Sequence, residues 1–201
     1  MKLIYSPASP FVRKTVVLAH ELDLMDQIEL NPVATTALNT AEQAKSANPL
    51  GKIPALLRDN DTSLFDSRVI CRFLNDVAKG DMYPADTLYD VLTLEALADG
   101  IMESAVSMVY EKRLRSEDHQ SQDWIEAQWG KVTSALATLD QGKMPALTGP
   151  LNIGQIGVAC ALSYLDFRHD DRNWRQDCAQ LSEWHATFSD RPSMRATEPE
   201  G

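Results

Sequence analysis

Lys2-Leu3-Ile4-Tyr5-Ser6-Pro7-Ala8-Ser9-Pro10-Phe11-Val12-Arg13-Lys14 is the stretch whose reading decides the fold. Lys2 to Tyr5 is a short strand, stopped by the turn-rich run Ser6 to Pro10. From Phe11 to Leu22 the period turns helical, with Val12, Val16, Ala19 and Leu22 near one face. Pro10 suits the first turn of that helix, where its missing N–H costs nothing, and Ser9 suits the cap before it.

Outward from there, Ile28 to Leu30 is a second, weaker strand, followed by a polar Ala/Thr/Asn-rich stretch. Asn48-Pro49-Leu50-Gly51-Lys52 is a turn signal. Ile53 to Leu57 and Ser63 to Phe65 are expected to form a hairpin across Arg58-Asp59-Asn60-Asp61. Asp66-Ser67 opens a helix with Val69, Ile70, Phe73, Leu74 and Val77 on one face. The order β-α-β, loop, β-β-α gives one parallel pair and an antiparallel hairpin in a small sheet, the order of the thioredoxin fold.

Gly80 to Asp86 reads as a linker, after which no strand pattern occurs. Leu88 to about Arg115 is one long helix with a bend expected near Asp99-Gly100. Trp124, Ile125, Trp129, Val132, Leu136 and Leu139 mark a second helix, Asn152 to Arg168 a third, and Asp177 to Phe188 a fourth ended by Pro192. The expected architecture is α/β plus all-α, with residues 1–80 thioredoxin-like and 88–201 a helical bundle.

The 201 residues carry a net charge of -10, which disfavours nucleic acid and anionic membrane surfaces as partners. No apolar run approaches a membrane span, and no signal-peptide pattern follows Lys2, so the expected location is cytoplasmic. Cys71, Cys160 and Cys178 are widely spaced, which fits buried reduced thiols rather than a disulfide framework or a zinc site. His20, His119, His169 and His185 are too scattered for a metal site.

Three motifs narrow the function: Ser9-Pro10-Phe11-Val12-Arg13-Lys14, Asn48-Pro49-Leu50-Gly51-Lys52-Ile53-Pro54-Ala55-Leu56, and Phe65-Asp66-Ser67-Arg68-Val69-Ile70. Together, in this order and spacing, they resemble the glutathione-site signature of the glutathione transferases, closest to the bacterial members that use serine at the first motif. The resemblance spans nearly the whole chain. It implies that the Ser9 hydroxyl donates to the sulfur of glutathione. A hydrogen bond to a charged acceptor contributes roughly 1.5–3 kcal/mol. Spent mostly on the thiolate, that would lower the thiol pKa by about 1–2, from ~8.5 toward neutrality. The thiolate is the nucleophile. Ser9 also suits a plain cap, and Ser6 is a second hydroxyl in the same turn.

By the same resemblance, the Ile53–Pro54 bond is cis and the Ile53 N–H and C=O pair with the cysteinyl backbone of glutathione. Ser67 takes the γ-glutamyl carboxylate and Asp66 its amino group, while Phe11 lies in the same site and Lys52 meets the glycyl carboxylate or faces solvent. Thioredoxin-like redox proteins carry cysteine where this chain has Ser9, so transfer fits better than dithiol exchange. Asn152-Ile153-Gly154-Gln155 stands at a capping box, with reciprocal bonds expected. Asp99, inside an apolar helix face, reads as solvated or structural.

The expected activity is conjugation of glutathione, as co-substrate, to a small electrophile. The electrophile pocket would be floored by the long helix, with Met102, Met108 and Tyr110 as candidates. A glutathione-binding regulatory protein, or a peroxidase, isomerase or dehalogenase on this scaffold, would carry the same residues. The family implies a homodimer and neither a metal nor a prosthetic group.

Overall fold

The computed structural model describes residues 1–58 and 63–200. The expected hairpin turn therefore lies outside the described residues beyond Arg58. The chain divides into two compact units, Met1–Leu88 with the segment from Pro192 onward, and Tyr89–Arg191.

The first unit runs β1 (Lys2–Tyr5), α1 (Pro10–Glu21), β2 (Glu29–Pro32), α2 (Glu42–Ala47), β3 (Ala55–Leu57), β4 (Leu64–Phe65) and α3 (Ser67–Ala78). Its sheet order is β2-β1-β3-β4, with β1 and β2 parallel and the other pairs antiparallel. This is the mixed four-stranded sheet of a thioredoxin-like domain. β3 begins at Ala55 rather than Ile53, since Pro54 has no N–H to give a ladder.

The sequence reading left α2 as polar loop. Its six residues have no side-chain cap, and only Ala44 and Ala47 face inward, onto Ile4 and Ala55 of the sheet. Two alanines are too slight an apolar stripe to register as periodic. On α3 the buried residues are Ser67, Ile70, Cys71, Leu74 and Asn75, while Val69 and Val77 are exposed. The inward face is thus rotated from the expected one by a polar member. The side-chain oxygen of Asn75 accepts from Met82 N–H at 3.0 Å, which holds the segment following the helix.

The second unit is helical: α4 (Leu88–Leu114), α5 (Gln122–Thr138), α6 (Met144–Thr148), α7 (Ile153–Arg168) and α8 (Ala179–Ser189). A π-helical turn over 139–143 carries α5 into α6, so the second helix runs on past its expected end. α8 starts at Ala179 rather than Asp177, because a 3₁₀ turn over Trp174–Gln176 comes first. α7 is the buried helix, without an exposed residue from Ile153 to Leu162. Gly154 is required there, since a Cβ would lie 2.9 Å from three side-chain atoms of Leu94. With Gly154 against Leu94 and His169 against Ala105, α4 and α7 run in the same direction.

Pro192 opens a short helix, α9 (Pro192–Arg195), where the sequence reading had it only ending the fourth helix. The domain boundary drawn at 88–201 also placed this segment with the helical half. Instead it returns to the first unit, because α1 carries groups that hold it. Arg13 Nη2 donates to the Met194 carbonyl at 3.0 Å, and Ser193 Oγ hydrogen-bonds Glu21 Oε1. With α3 and α9 both packed on it, α1 is buried from Val12 through Ala19 rather than on one face.

All three cysteines are buried and none is in a disulfide among the described residues. His169, 1% exposed, donates from Nε2 to the Ala105 carbonyl at 3.0 Å, and its Nδ1 has no partner among the described residues. Burial is the largest influence on the ring and lowers its pKa below 6.5, with Lys112 and Arg172 acting the same way. The imidazole stays neutral to lower pH in the fold than in the unfolded chain, where it titrates at about 6.5. Its contribution to stability is complete above that value and declines as pH falls below it, by at most about 1.4 kcal/mol per pH unit. Urea titrations at pH 7.5 and 5.5 should therefore show a smaller acid loss for His169→Gln than for the parent chain. An equal loss in both would assign the acid sensitivity elsewhere.

Candidate functional site

The register of the sheet assembles the site. Ile4 of β1 lies opposite Ala55 of β3, which lies opposite Phe65 of β4. The first motif leaves the C-terminal end of β1, the second enters β3 just before Ala55, and the third follows Phe65. Because β3 is antiparallel to both neighbours, all three emerge at one end of the sheet, within about 10 Å of one another across two strand spacings.

Ser9 is the N-cap of α1, its Oγ accepting from Val12 N–H at a long 3.4 Å. The cap uses a lone pair and leaves the hydroxyl proton for another acceptor, at the positive end of the helix. Capping and donation to a sulfur are compatible. Phe11 follows in the first turn, half-buried.

The second motif is a braced loop. Asn48 is buried; its Oδ1 accepts from Leu50 N–H at 3.0 Å and its Nδ2 donates to the Lys52 carbonyl at 2.9 Å. Gly51 has φ of 64°, and a Cβ there would meet the Thr40 methyl at 2.5 Å. This brace delivers Ile53 and a buried Pro54 joined by a cis peptide bond, while Lys52 is exposed. Asn48 is the contributor that sequence reading missed: an Asn-Pro pair signals a turn without revealing which groups the amide will bind.

Asp66 is the N-cap of α3, accepting from Arg68 N–H at 2.9 Å and pairing with the Arg68 guanidinium at 3.2 Å. Partial burial pushes its carboxyl up, but the Arg68 bonds, with the charges of Arg68 and Lys14, outweigh this and hold the pKa below the usual value. Its backbone sits at φ 68° and ψ 128°, a conformation costly for a side-chain-bearing residue and typically retained where a site needs it. Ser67, the first residue of α3, is buried beside it.

The model "Glutathione S-transferase, N-terminal domain" matches residues 8–77, and "Glutathione S-transferase, C-terminal domain" matches 122–187. The chain is 34% identical over 205 residues to the uncharacterized GST-like protein YibF of Escherichia coli K12, covering 99% of this chain and 98% of that one. This chain belongs to the glutathione S-transferase family. A solved structure of a glutathione transferase family member from Pseudomonas fluorescens Pf-5, with bound glutathione, superposes with a TM-score of 0.97 at 42% identity, covering 100% and 99% of the two chains. A glutathione S-transferase from Methylobacillus flagellatus, also with glutathione bound, reaches 0.86 at 33% identity, covering 99% of each chain.

Met102 and Met108 are fully buried on α4 and Tyr110 is 39% exposed. Asp99 is buried, so of its two readings the structural one stands. Among the described residues no group of three or more His, Cys, Asp or Glu could hold a metal ion, and no helix is long and apolar enough to cross a membrane. Ser163 and His185 lie 2.9 Å apart, but Arg175, which only donates, binds His185 Nδ1 at 2.8 Å. The ring proton is therefore on Nε2, facing Ser163, and His185 cannot take a proton from that hydroxyl.

Proposed function

We propose that this chain is a glutathione transferase that ionises the thiol of glutathione at Ser9 for attack on a small electrophile. The observation carrying this reading is the convergence of a helix-capping hydroxyl, a strand mouth behind a cis proline and a strained Asp66-Ser67 turn at one end of the sheet. The Ile53 N–H and C=O pair with the cysteinyl backbone, and Ser67 receives the γ-glutamyl carboxylate at the positive end of α3. Asp66, kept ionised by Arg68, receives the γ-glutamyl ammonium. Phe11 borders the sulfur, and Lys52 is free to reach the glycyl carboxylate. The P. fluorescens relative, 42% identical, has also been solved with S-(propanoic acid)-glutathione, a glutathione whose sulfur carries a carbon substituent. A cytoplasmic homodimer belongs to the same reading. Exposed Phe65, Val69 and Val77 on β4 and α3 are apolar surface that a second copy would cover.

Calorimetry with glutathione and thiolate absorbance across pH test the proposal. Wild type should bind glutathione with a depressed thiol pKa. Ser9→Ala should keep most of the affinity while the thiol pKa returns toward ~8.5 and turnover falls by roughly 10–100-fold. Ser67→Ala should weaken binding instead. Absence of wild-type binding at millimolar glutathione would overturn the reading.

A further inference from the structure

Tyr5 is the last residue of β1, and the alternation of the strand directs its side chain. Ile4 faces α2, where it packs with Ala44, Ala47 and Ala55. Tyr5 therefore faces the other side of the sheet, the side left to α1 and α3, which pack on each other. The chain then turns at once. Ser9 N–H donates to the Ser6 carbonyl at 3.1 Å, closing a turn that brings Ser9 back beside the end of β1. Ser9 and the Tyr5 phenol thus flank one tight turn, on the face of the sheet where α1 begins. The Tyr5 ring is half-buried, and its hydroxyl has no hydrogen-bond partner among the described residues. Burial and the charge of Glu200, on the returning segment that Arg13 anchors, both raise its pKa above the ordinary 10.0. The phenol keeps its proton where a thiol ionises, and that proton is free for a ligand.

A donor beside the sulfur speeds a reaction only where negative charge develops on the acceptor molecule within its reach. In displacement of a halide, that charge departs with the leaving group. In addition to an α,β-unsaturated carbonyl it gathers on the carbonyl oxygen, which stays on the skeleton now bonded to sulfur. We propose that the acceptor is an α,β-unsaturated carbonyl compound and that Tyr5 donates a hydrogen bond to its oxygen, an inference that rests on the transferase reading of Ser9. The thiolate attacks the β carbon and the C–S bond forms. The C=C π pair moves through the α carbon onto oxygen, as an enolate held by the phenol. The α carbon then takes a proton from water, replacing the one the thiol released, and the carbonyl is restored. Nothing leaves, and neither oxidant nor reductant takes part. Ser9 acts on the sulfur and Tyr5 on the oxygen, so the two hydroxyls have separable effects.

Turnover of benzylideneacetone, an enone, and of benzyl chloride, an alkyl halide with the same aromatic body, separates those effects. In Tyr5→Phe, kcat for the enone should fall by roughly 10–100-fold, as for loss of one donor to a developing oxyanion. Benzyl chloride turnover should stay within about threefold of wild type, with glutathione affinity and the thiol pKa of bound glutathione unchanged. Ser9→Ala should instead slow both substrates. Glu200→Gln, at an exposed position, removes a charge that opposes the enolate, so the ratio of enone to chloride turnover should rise. An equal loss on both electrophiles in Tyr5→Phe, full enone activity in that variant, or an unchanged or lower ratio in Glu200→Gln would overturn the proposal. A raised thiol pKa in Tyr5→Phe would do the same, by placing the phenol on the sulfur. Wild type that binds glutathione yet turns over only the chloride refutes this inference alone, whereas wild type that binds no glutathione refutes the transferase reading along with it.

Discussion

Gln155→Glu is expected to destabilise the chain by about 3–5 kcal/mol, the range for an uncompensated buried charge. Gln155, 2% exposed, donates from one amide nitrogen toward the carbonyls of Ala146, Gly149 and Pro150 at 3.2, 3.2 and 3.1 Å. Glutamate would put an oxygen where three oxygens already point. The new carboxyl would escape by taking up a proton, so its folded pKa would lie above the unfolded value near ~4.3. The folded state then binds more protons than the unfolded one, and the deficit should deepen as pH rises from about 4 toward neutrality. Gln155→Ala, which loses the bonds without adding a charge, should cost less and show no such trend. Denaturant midpoints at pH 4.5 and 7.5 decide the matter; matching deficits for both variants would refute it.

Arg13→Ala is the second large effect, about 3 kcal/mol, combining a cavity at a buried position with the loss of a charged donor. The guanidinium reaches the Met194 carbonyl at 3.0 Å and Thr197 Oγ1 at 3.4 Å, 181 and 184 residues along the chain. Thr197 Oγ1 donates in turn to the Ser193 carbonyl at 2.8 Å, so the returning segment is organised around this one side chain. Beyond lowered stability, the variant should be cleaved by protease within residues 192–200 well before the rest of the chain. Cleavage no faster than in wild type would mean that α9 docks through Ser193 and its apolar contacts instead.

The strands, α1 and the three motifs were legible because each carries a local signal: a period, a proline that fixes φ, or a capping side chain. What the sequence could not reveal were groups whose partner is remote. Arg13 looked like part of a motif, yet its partner is the far end of the chain. Gln155 looked like one arm of a capping box. Asn152 does accept from Gln155 N–H at 3.2 Å, but the glutamine side chain turns away to hold the loop before the helix instead of making the reciprocal bond. The helix cap is local and was readable, whereas the orientation of a flexible amide is set by whichever unpaired carbonyls the tertiary fold brings near. The α3 face was misjudged for a related reason. Asn75 is buried as a bracket for Met82 N–H, and a hydropathy pattern scores it as outward.

The return of the chain to α1 makes the first unit discontinuous, and that bears on how it is made. A ribosome adding roughly 5–20 residues per second completes α1 early, then spends roughly 5–20 s on residues 89–191 before the segment that covers it exists. Through that interval Arg13 keeps its hydration and the flank of α1 destined for α9 is wet. The helix that carries Ser9 therefore gains its final packing only after the entire helical unit has been synthesised, and a nascent chain halted within that unit would present the serine on an unsealed helix.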